Sequence, residues 1–237
     1  MRPVGIFRAA PTEGPGYFAA YLERASIPWK LIALDAGEAV PRDPREFSGI
    51  GIMGGAMSAN DDLPWIPPLL EFLRHAVRRD VPVIGHCLGA QLMSRAFGGE
   101  VRVNPVREIG WGQVRVAENG VAREWLGGLQ AFETFQWHGD TFSIPPGATR
   151  VLEGEHCVNQ AFALGKHFAM QCHVEMTPEL IRTWVSTGGE EISAHRKSPA
   201  VQPPEEIEKD VAPRLERLHQ VADRIYERWT EGLSRGS

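Results

Sequence analysis

One cysteine stands where a thiol can become a nucleophile. The apolar run Val81-Pro82-Val83-Ile84 leads into Gly85-His86-Cys87-Leu88-Gly89, and a helix-like pattern follows at once. The run reads as a buried strand. The two glycines let the backbone turn sharply and approach its neighbours closely. A side chain between them is presented at the strand's end and at the amino end of the next helix, as in a nucleophile elbow. Exposed N–H groups and the helix dipole favour negative charge there and push a thiol toward thiolate. On its own the pattern describes a buried cysteine in a tight strand-to-helix turn equally well.

A cysteine nucleophile needs a base, and the base needs a group to orient it. Gln171-Cys172-His173-Val174-Glu175 closes an apolar, β-like run. In an extended segment His173 and Glu175 project to the same face, because side chains alternate. A carboxylate there holds the imidazole tautomer and stabilises its charged form. Attack on a carbonyl also needs donors for the oxyanion. The N–H of Leu88, next after the cysteine, is one. Gly55, in the turn Met53-Gly54-Gly55-Ala56 that ends another apolar run, supplies the second. Taken singly, H-x-E is a surface or core histidine and Gly-Gly an ordinary strand-ending turn. Beside an elbow cysteine they form a set for acyl transfer.

These groups need a scaffold that brings them together. Residues 4–7, 29–34, 49–53 and 81–86 read as strands, and 17–24, 69–77 and 90–96 carry apolar residues at helical spacing. That alternation indicates an α/β fold, a parallel sheet with helices on both faces. Residues 100–116 and 132–151 read as later strands, hairpins and loops. Residues 160–164 and 167–173 read as two strands joined by the tight turn Gly165-Lys166. A helix begins at Pro178. After Thr187-Gly188-Gly189 the composition shifts, which divides the chain into a domain over 1–189 and a charged extension over 190–237. Within the extension Val211, Leu215, Leu218, Val221, Ala222, Ile225 and Trp229 define one amphipathic helix. It packs back on the domain or serves dimerisation or a partner.

The 237 residues carry 25 basic and 30 acidic side chains, a formal charge of −5. No basic stripe points to nucleic acid. No apolar run reaches the ~18–20 residues of a membrane helix, and none is expected to bind a membrane. Met1-Arg2-Pro3-Val4-Gly5-Ile6-Phe7 lacks the apolar core of a signal peptide and reads as a first strand, so a cytoplasmic location is expected. The three cysteines show no paired spacing and no C-x-x-C, so neither a disulfide framework nor a zinc site is expected. Cys157 and Cys172 read as small core or surface residues. No G-x-x-x-x-G-K-[ST] phosphate loop is present.

Together these blocks resemble the class I, triad-type glutamine amidotransferases. Gly54-Gly55 is similar to the family's oxyanion glycines and Gly85-His86-Cys87-Leu88-Gly89-Ala90-Gln91 to its G-x-C-x-G-x-Q elbow. Gly98-Gly99-Glu100-Val101 and Arg107-Glu108-Ile109-Gly110-Trp111 are similar to segments of the glutaminase domain of GMP synthetase. Trp137-His138-Gly139-Asp140 looks like that subgroup's S-H-G-D and Gln171-Cys172-His173-Val174-Glu175 its Q-F-H-P-E. The resemblance covers roughly residues 4–187. It implies a flavodoxin-like three-layer sandwich with a mainly parallel sheet, here with the C-terminal helical extension. It also implies Cys87 as nucleophile, His173 as base and acid, Glu175 as orienting carboxylate, and Gly55 and Leu88 as the oxyanion hole. Gln91 would contact the substrate, and the backbone around Trp137, His138 and Gly139 would hold its amino-acid end. No metal or cofactor is implied. Ala56 departs from a frequent proline, His86 from an apolar or small residue, and Trp137 from the subgroup's serine.

The expected activity is hydrolysis of glutamine's side-chain amide to glutamate and ammonia through a γ-glutamyl thioester, with ammonia passed to a separate synthetase. A stand-alone hydrolase of γ-glutamyl peptides or amines would use the same groups. A catalytically silent binding or regulatory module is the reading from another class.

Overall fold

The computed structural model describes residues 1–233. The first half alternates strand and helix: β1 (Val4–Arg8), α1 (Gly16–Arg24), β2 (Trp29–Ala33), β3 (Gly49–Ile52), α2 (Ile66–Arg78), β4 (Val83–His86) and α3 (Leu88–Ala96). The second half begins with β5 (Val101–Val116), α4 (Gly120–Leu126), β6 (Ala131–Phe142), β7 (Thr149–Gly154), β8 (Ala161–Leu164) and β9 (His167–Met170). It closes with α5 (Pro178–Thr187), α6 (Gly189–His195), β10 (Ala200–Val201), α7 (Pro204–Ile207) and α8 (Val211–Glu231).

All strands join one sheet in the order β10-β5-β7-β8-β9-β4-β3-β1-β2, with β6 paired to β5. From β2 to β9 the pairings are parallel. From β9 back through β8, β7, β5 and β6 they are antiparallel. The parallel strands β3 and β4 are buried on both faces, as strands covered by helices must be. Two hydrophobic cores flank the sheet. One takes Leu69, Leu73, Leu92 and Met93 from α2 and α3; the other takes Phe18 and Leu22 from α1, Trp184 from α5, and the apolar side of α8. The molecule is thus the three-layer α/β sandwich that the alternation and the resemblance imply.

Several boundaries differ from the sequence reading. α2 opens at Ile66, ahead of Pro67 and Pro68, which suit a helix's first turn because its N–H groups there lack intrahelical partners. α3 begins at Leu88, since the elbow turn is complete in a single residue. α4 was not anticipated. Asn119 caps it by accepting from the Ala122 N–H at 2.9 Å, and Ala122, Trp125 and Leu126 anchor it in the core. β9 stops at Met170 rather than continuing to position 173. There the chain leaves β8 and crosses to β6, where the His173 N–H donates to the Phe135 carbonyl at 2.8 Å.

α8 turns its apolar side inward: Leu215, Leu218, Val221, Ala222, Ile225, Tyr226 and Trp229 are buried. Phe18 packs against Tyr226 with ring centres 4.8 Å apart. Burying side chains of this size contributes roughly 1.5–3 kcal/mol each. Residues 234–237 of the extension lie outside the described residues. No described helix is long and apolar enough to cross a membrane.

Candidate active site

Cys87 is the hinge between β4 and α3. Its backbone has φ 49° and ψ −106°, a region that side-chain-bearing residues avoid at roughly 1–3 kcal/mol. Two hydrogen bonds hold it: the Cys87 N–H donates to the Met170 carbonyl at 2.8 Å, and the Gln91 N–H to the Cys87 carbonyl at 3.1 Å. The flanking glycines are required by packing. A Cβ on Gly89 would collide with the Ile52 carbonyl, and one on Gly85 would stand 2.8 Å from the Ala90 nitrogen. The elbow is therefore strained, over-determined, and wedged between β3 and β9.

His173 and Glu175 meet next to it. Their Nδ1 and Oε1 atoms are 2.6 Å apart, and both residues are buried. The carboxylate fixes the proton on Nδ1 and leaves Nε2 without a hydrogen-bond partner. Burial alone would drive the imidazole toward its neutral form. The nearby charges of Glu175 and Cys87 more than offset it and hold His173 well above its ordinary range. Burial likewise opposes the charge on Glu175, yet His173 and His86 keep it ionised below the usual carboxylate range. Trp184 lies edge-on to the imidazole with ring centres 4.8 Å apart.

Cys87 and His173 open onto one cavity of about 480 Å³, which Gly55, Gln91, Trp137, His138 and Gly139 also line. Gly55 sits back to back with Leu88: a Cβ there would stand 2.6 Å from Leu88 Cδ2. The Trp137 carbonyl faces the Cys87 thiol at 3.8 Å. Gln91 does not touch the thiol itself. Its Nε2 donates to Gln171 Oε1 at 3.1 Å, and Gln171 Nε2 donates to Cys87 Sγ at 3.4 Å. His138 gives the cavity its backbone and turns its side chain away. Its Nδ1 donates to the Asp140 carbonyl at 3.0 Å, and its Nε2 lies 3.1 Å from Glu108 Oε2.

Glu108, His138 and Cys157 bring one ligand-type atom each within 4.8 Å of one another, the only such group among the described residues. The His138–Glu108 contact accounts for two of the three. Burial pushes the Cys157 thiol up to about 11, and Thr141 Oγ1 lies 3.2 Å from its sulfur. Cys157 is accordingly a neutral core thiol.

The model of the glutamine amidotransferase class-I family matches residues 19–185. The chain belongs to that family. A relative is the glutamine amidotransferase-like protein YfeJ of Salmonella typhimurium, 30% identical over 186 residues that cover 73% of this chain and 77% of that one. The glutamine-hydrolyzing GMP synthase of Vibrio vulnificus is 34% identical over 140 residues, covering 57% of this chain and 26% of the synthase. The chain thus matches about a quarter of the length of that synthase. A crystal structure of a glutamine amidotransferase from Methylobacillus flagellatus superposes with a TM-score of 0.97 at 44% identity, covering 100% of this chain and 97% of that one.

In this class-I amidotransferase the departures have local explanations. His86 is fully buried beneath the elbow, its Nε2 3.1 Å from the Tyr226 hydroxyl. Burial lowers its proton affinity and raises that of Tyr226, so the phenol donates to a neutral imidazole. The indole of Trp137 reaches α6, where its N–H donates to Glu191 Oε2 at 2.8 Å. Ala56 lines the cavity mouth. Sequence reading passed over other neighbours of the site: Gln171 as a link to the thiol, Trp184 on the imidazole, and Glu13. That last residue had been read only as part of a Pro- and Gly-rich loop. Burial pushes the Glu13 carboxyl up to about 7, with the charge of His173 acting against this and that of Glu175 with it.

Proposed function

We propose that this chain is a cysteine-dependent amidohydrolase that cleaves the side-chain amide of glutamine to glutamate and ammonia through a γ-glutamyl thioester. One observation carries the reading. A strained elbow cysteine and the unpartnered Nε2 of a carboxylate-held histidine share one cavity.

In this mechanism His173 takes the thiol proton and Glu175 stabilises the imidazolium. Cys87 Sγ attacks the amide carbonyl. The N–H groups of Gly55 and Leu88 receive the oxyanion, and the backbone of Trp137, His138 and Gly139 holds the amino-acid end. Gln91 acts through Gln171, setting the thiol's position. His173 then protonates the departing nitrogen, and water activated by the same imidazole hydrolyses the thioester. Residues 1–189 supply every group in this scheme. Residues 190–237 serve as an extension that buttresses the elbow through Tyr226.

Two supply routes for the amine fit the same chemistry. Likeness to the glutaminase part of GMP synthase supports delivery of ammonia to a separate synthetase. The cavity supports hydrolysis of larger γ-glutamyl amides, since ~300–1,000 Å³ suits ligands well above the size of glutamine. A silent binding module is disfavoured by the backbone strain at Cys87, which such a module would have no use for.

The test is labelling by a glutamine-like electrophile followed by peptide mapping. Labelling confined to Cys87, and glutamine hydrolysis lost in Cys87→Ala, support the reading. Retained hydrolysis in folded Cys87→Ala would refute it.

A further inference from the structure

Glu13 is the charged group in the cavity that the acyl chemistry leaves without a task. It lies in the loop between β1 and α1. The Glu13 N–H donates to the Ala10 carbonyl at 3.0 Å, and Trp184 Nε1 donates to the Thr12 carbonyl at 2.9 Å. At the loop's far end the Tyr17 N–H donates to the Glu175 carbonyl at 2.8 Å. Trp184 is also the ring packed on His173. The loop is therefore tied at both ends to the base and its orienting carboxylate.

The carboxylate points at the same place as the base. A Cβ on Gly54 would stand 2.7 Å from Glu13 Oε2 and 3.4 Å from His173 Cε1. Among the described residues, none donates a hydrogen bond to this carboxylate or pairs with its charge. The opposite wall differs. There the Arg107 guanidinium lies against Gly139 and is ion-paired with Glu191. The cavity thus has a matched ion pair at its Trp137–Gly139 wall and an unmatched carboxylate at its His173 wall.

In acyl transfer the amine leaves on the side of the acid that protonates it, here His173. A substituent on that nitrogen would be directed at Glu13. An alkyl group would strip water from a carboxylate and offer nothing in return. A leaving amino acid, as in a γ-glutamyl peptide, would set a second carboxylate beside it. A second ammonium group would give it a charge-assisted hydrogen bond.

We infer that Glu13 is a specificity-determining residue that admits γ-glutamyl amides whose leaving amine carries a second, cationic amino group, such as mono-γ-glutamyl diamines. The inference rests on the proposed acyl chemistry. Cys87 Sγ bonds to the γ-carbon, the C–N bond breaks, and the departing nitrogen takes its proton from His173. Water then cleaves the thioester, giving glutamate, the free diamine and the thiol. Burial already disfavours the charge on the empty Glu13, and an arriving ammonium restores it.

The test compares kcat/KM for mono-γ-glutamyl-1,4-diaminobutane, its neutral isostere γ-glutamyl-n-pentylamide, and γ-glutamylglycine, with glutamine as reference. The wild-type chain should favour the diamine conjugate over the pentylamide by roughly tenfold or more, the scale of one charge-assisted hydrogen bond. Glu13→Gln should bring that ratio to within about twofold, and Glu13→Asp, which keeps the charge, should restore most of it. A ratio near one in the wild-type chain, a preference for γ-glutamylglycine, or the same ratio in Glu13→Gln overturns the inference. Equal loss of the ratio in Glu13→Gln and Glu13→Asp does so too. Glutamine turnover with none of the three conjugates cleaved overturns this inference alone. No turnover of any of the four overturns the acyl chemistry beneath it as well.

Discussion

His173 Nδ1 lies 2.6 Å from Glu175 Oε1 inside the molecule, although neither residue belongs to a regular strand. β9 has ended at Met170, and a two-way hydrogen-bonded bridge to Phe135 of β6 carries the chain past the elbow. The pair owes its place to two strands, one on each side of the turn in the sheet.

This pair gives the fold a pH signature. His173 is held above its ordinary 6.5, so its contribution is complete below about pH 6.5 and is lost as pH rises through the folded value. Glu175 is held below its ordinary 4.5, so its contribution is complete above that pH and is lost as pH falls through about 2. The two overlap between about pH 4.5 and 6.5. Melting temperature against pH should show the wild-type chain's largest advantage over Glu175→Gln in that window. On glutamine, Glu175→Gln should lose ~10²–10⁴ in kcat, the usual worth of a positioned acid–base. A flat difference across pH would contradict the buried ion pair.

Strain at Cys87 can be read from two substitutions that both remove the thiol. Glycine accepts φ 49° and alanine does not. Cys87→Gly should therefore melt above Cys87→Ala, by an amount equivalent to about 1 kcal/mol. Both should be inactive, whereas Cys157→Ala should keep most glutamine turnover. Chemical denaturation of the two Cys87 variants side by side decides the order.

Gly55 and Gly89 should respond differently to alanine. At Gly89 a Cβ meets the rigid Ile52 carbonyl, so Gly89→Ala should fail to fold stably. At Gly55 it meets the ends of Met57 and Leu88, which can move. Gly55→Ala should fold and lose ~10²–10³ in kcat as its N–H shifts. Circular dichroism with steady-state kinetics separates the outcomes. Full activity in Gly55→Ala would remove it from the oxyanion role.

Tyr226→Phe should destabilise the chain by roughly 1–3 kcal/mol, because it leaves His86 Nε2 buried without a donor. Urea titration measures this directly. A change under about 0.5 kcal/mol would mean that the phenol does not hold the imidazole.

Much of this organisation was readable from local pattern. The elbow announces itself because strand, glycines, cysteine and helix are contiguous from Val81 to Gln91. His173 and Glu175 are two residues apart, so alternation alone suggested that they share a face, although the irregular bridge that holds them did not show. What escaped is non-local. Gln171 reaches Cys87 across 84 positions, and Trp184 reaches Thr12 across 172. No spacing encodes such contacts. Glu13 was hidden by its Pro and Gly neighbours, which read as a loop whatever the acid between them does. α4 was missed because it is only seven residues long and its signal is mostly the Asn119 cap.

The contact between His86 and Tyr226 also bears on when the site can exist. Synthesis runs from the first strand to the last helix, and the residue beside the nucleophile waits 140 positions for its partner. Until α8 emerges, the elbow rests on an open face with a buried histidine unserved. An incomplete chain therefore carries the thiol without its support. The reactive centre is finished among the last parts of the molecule, as a keystone is set after the arch.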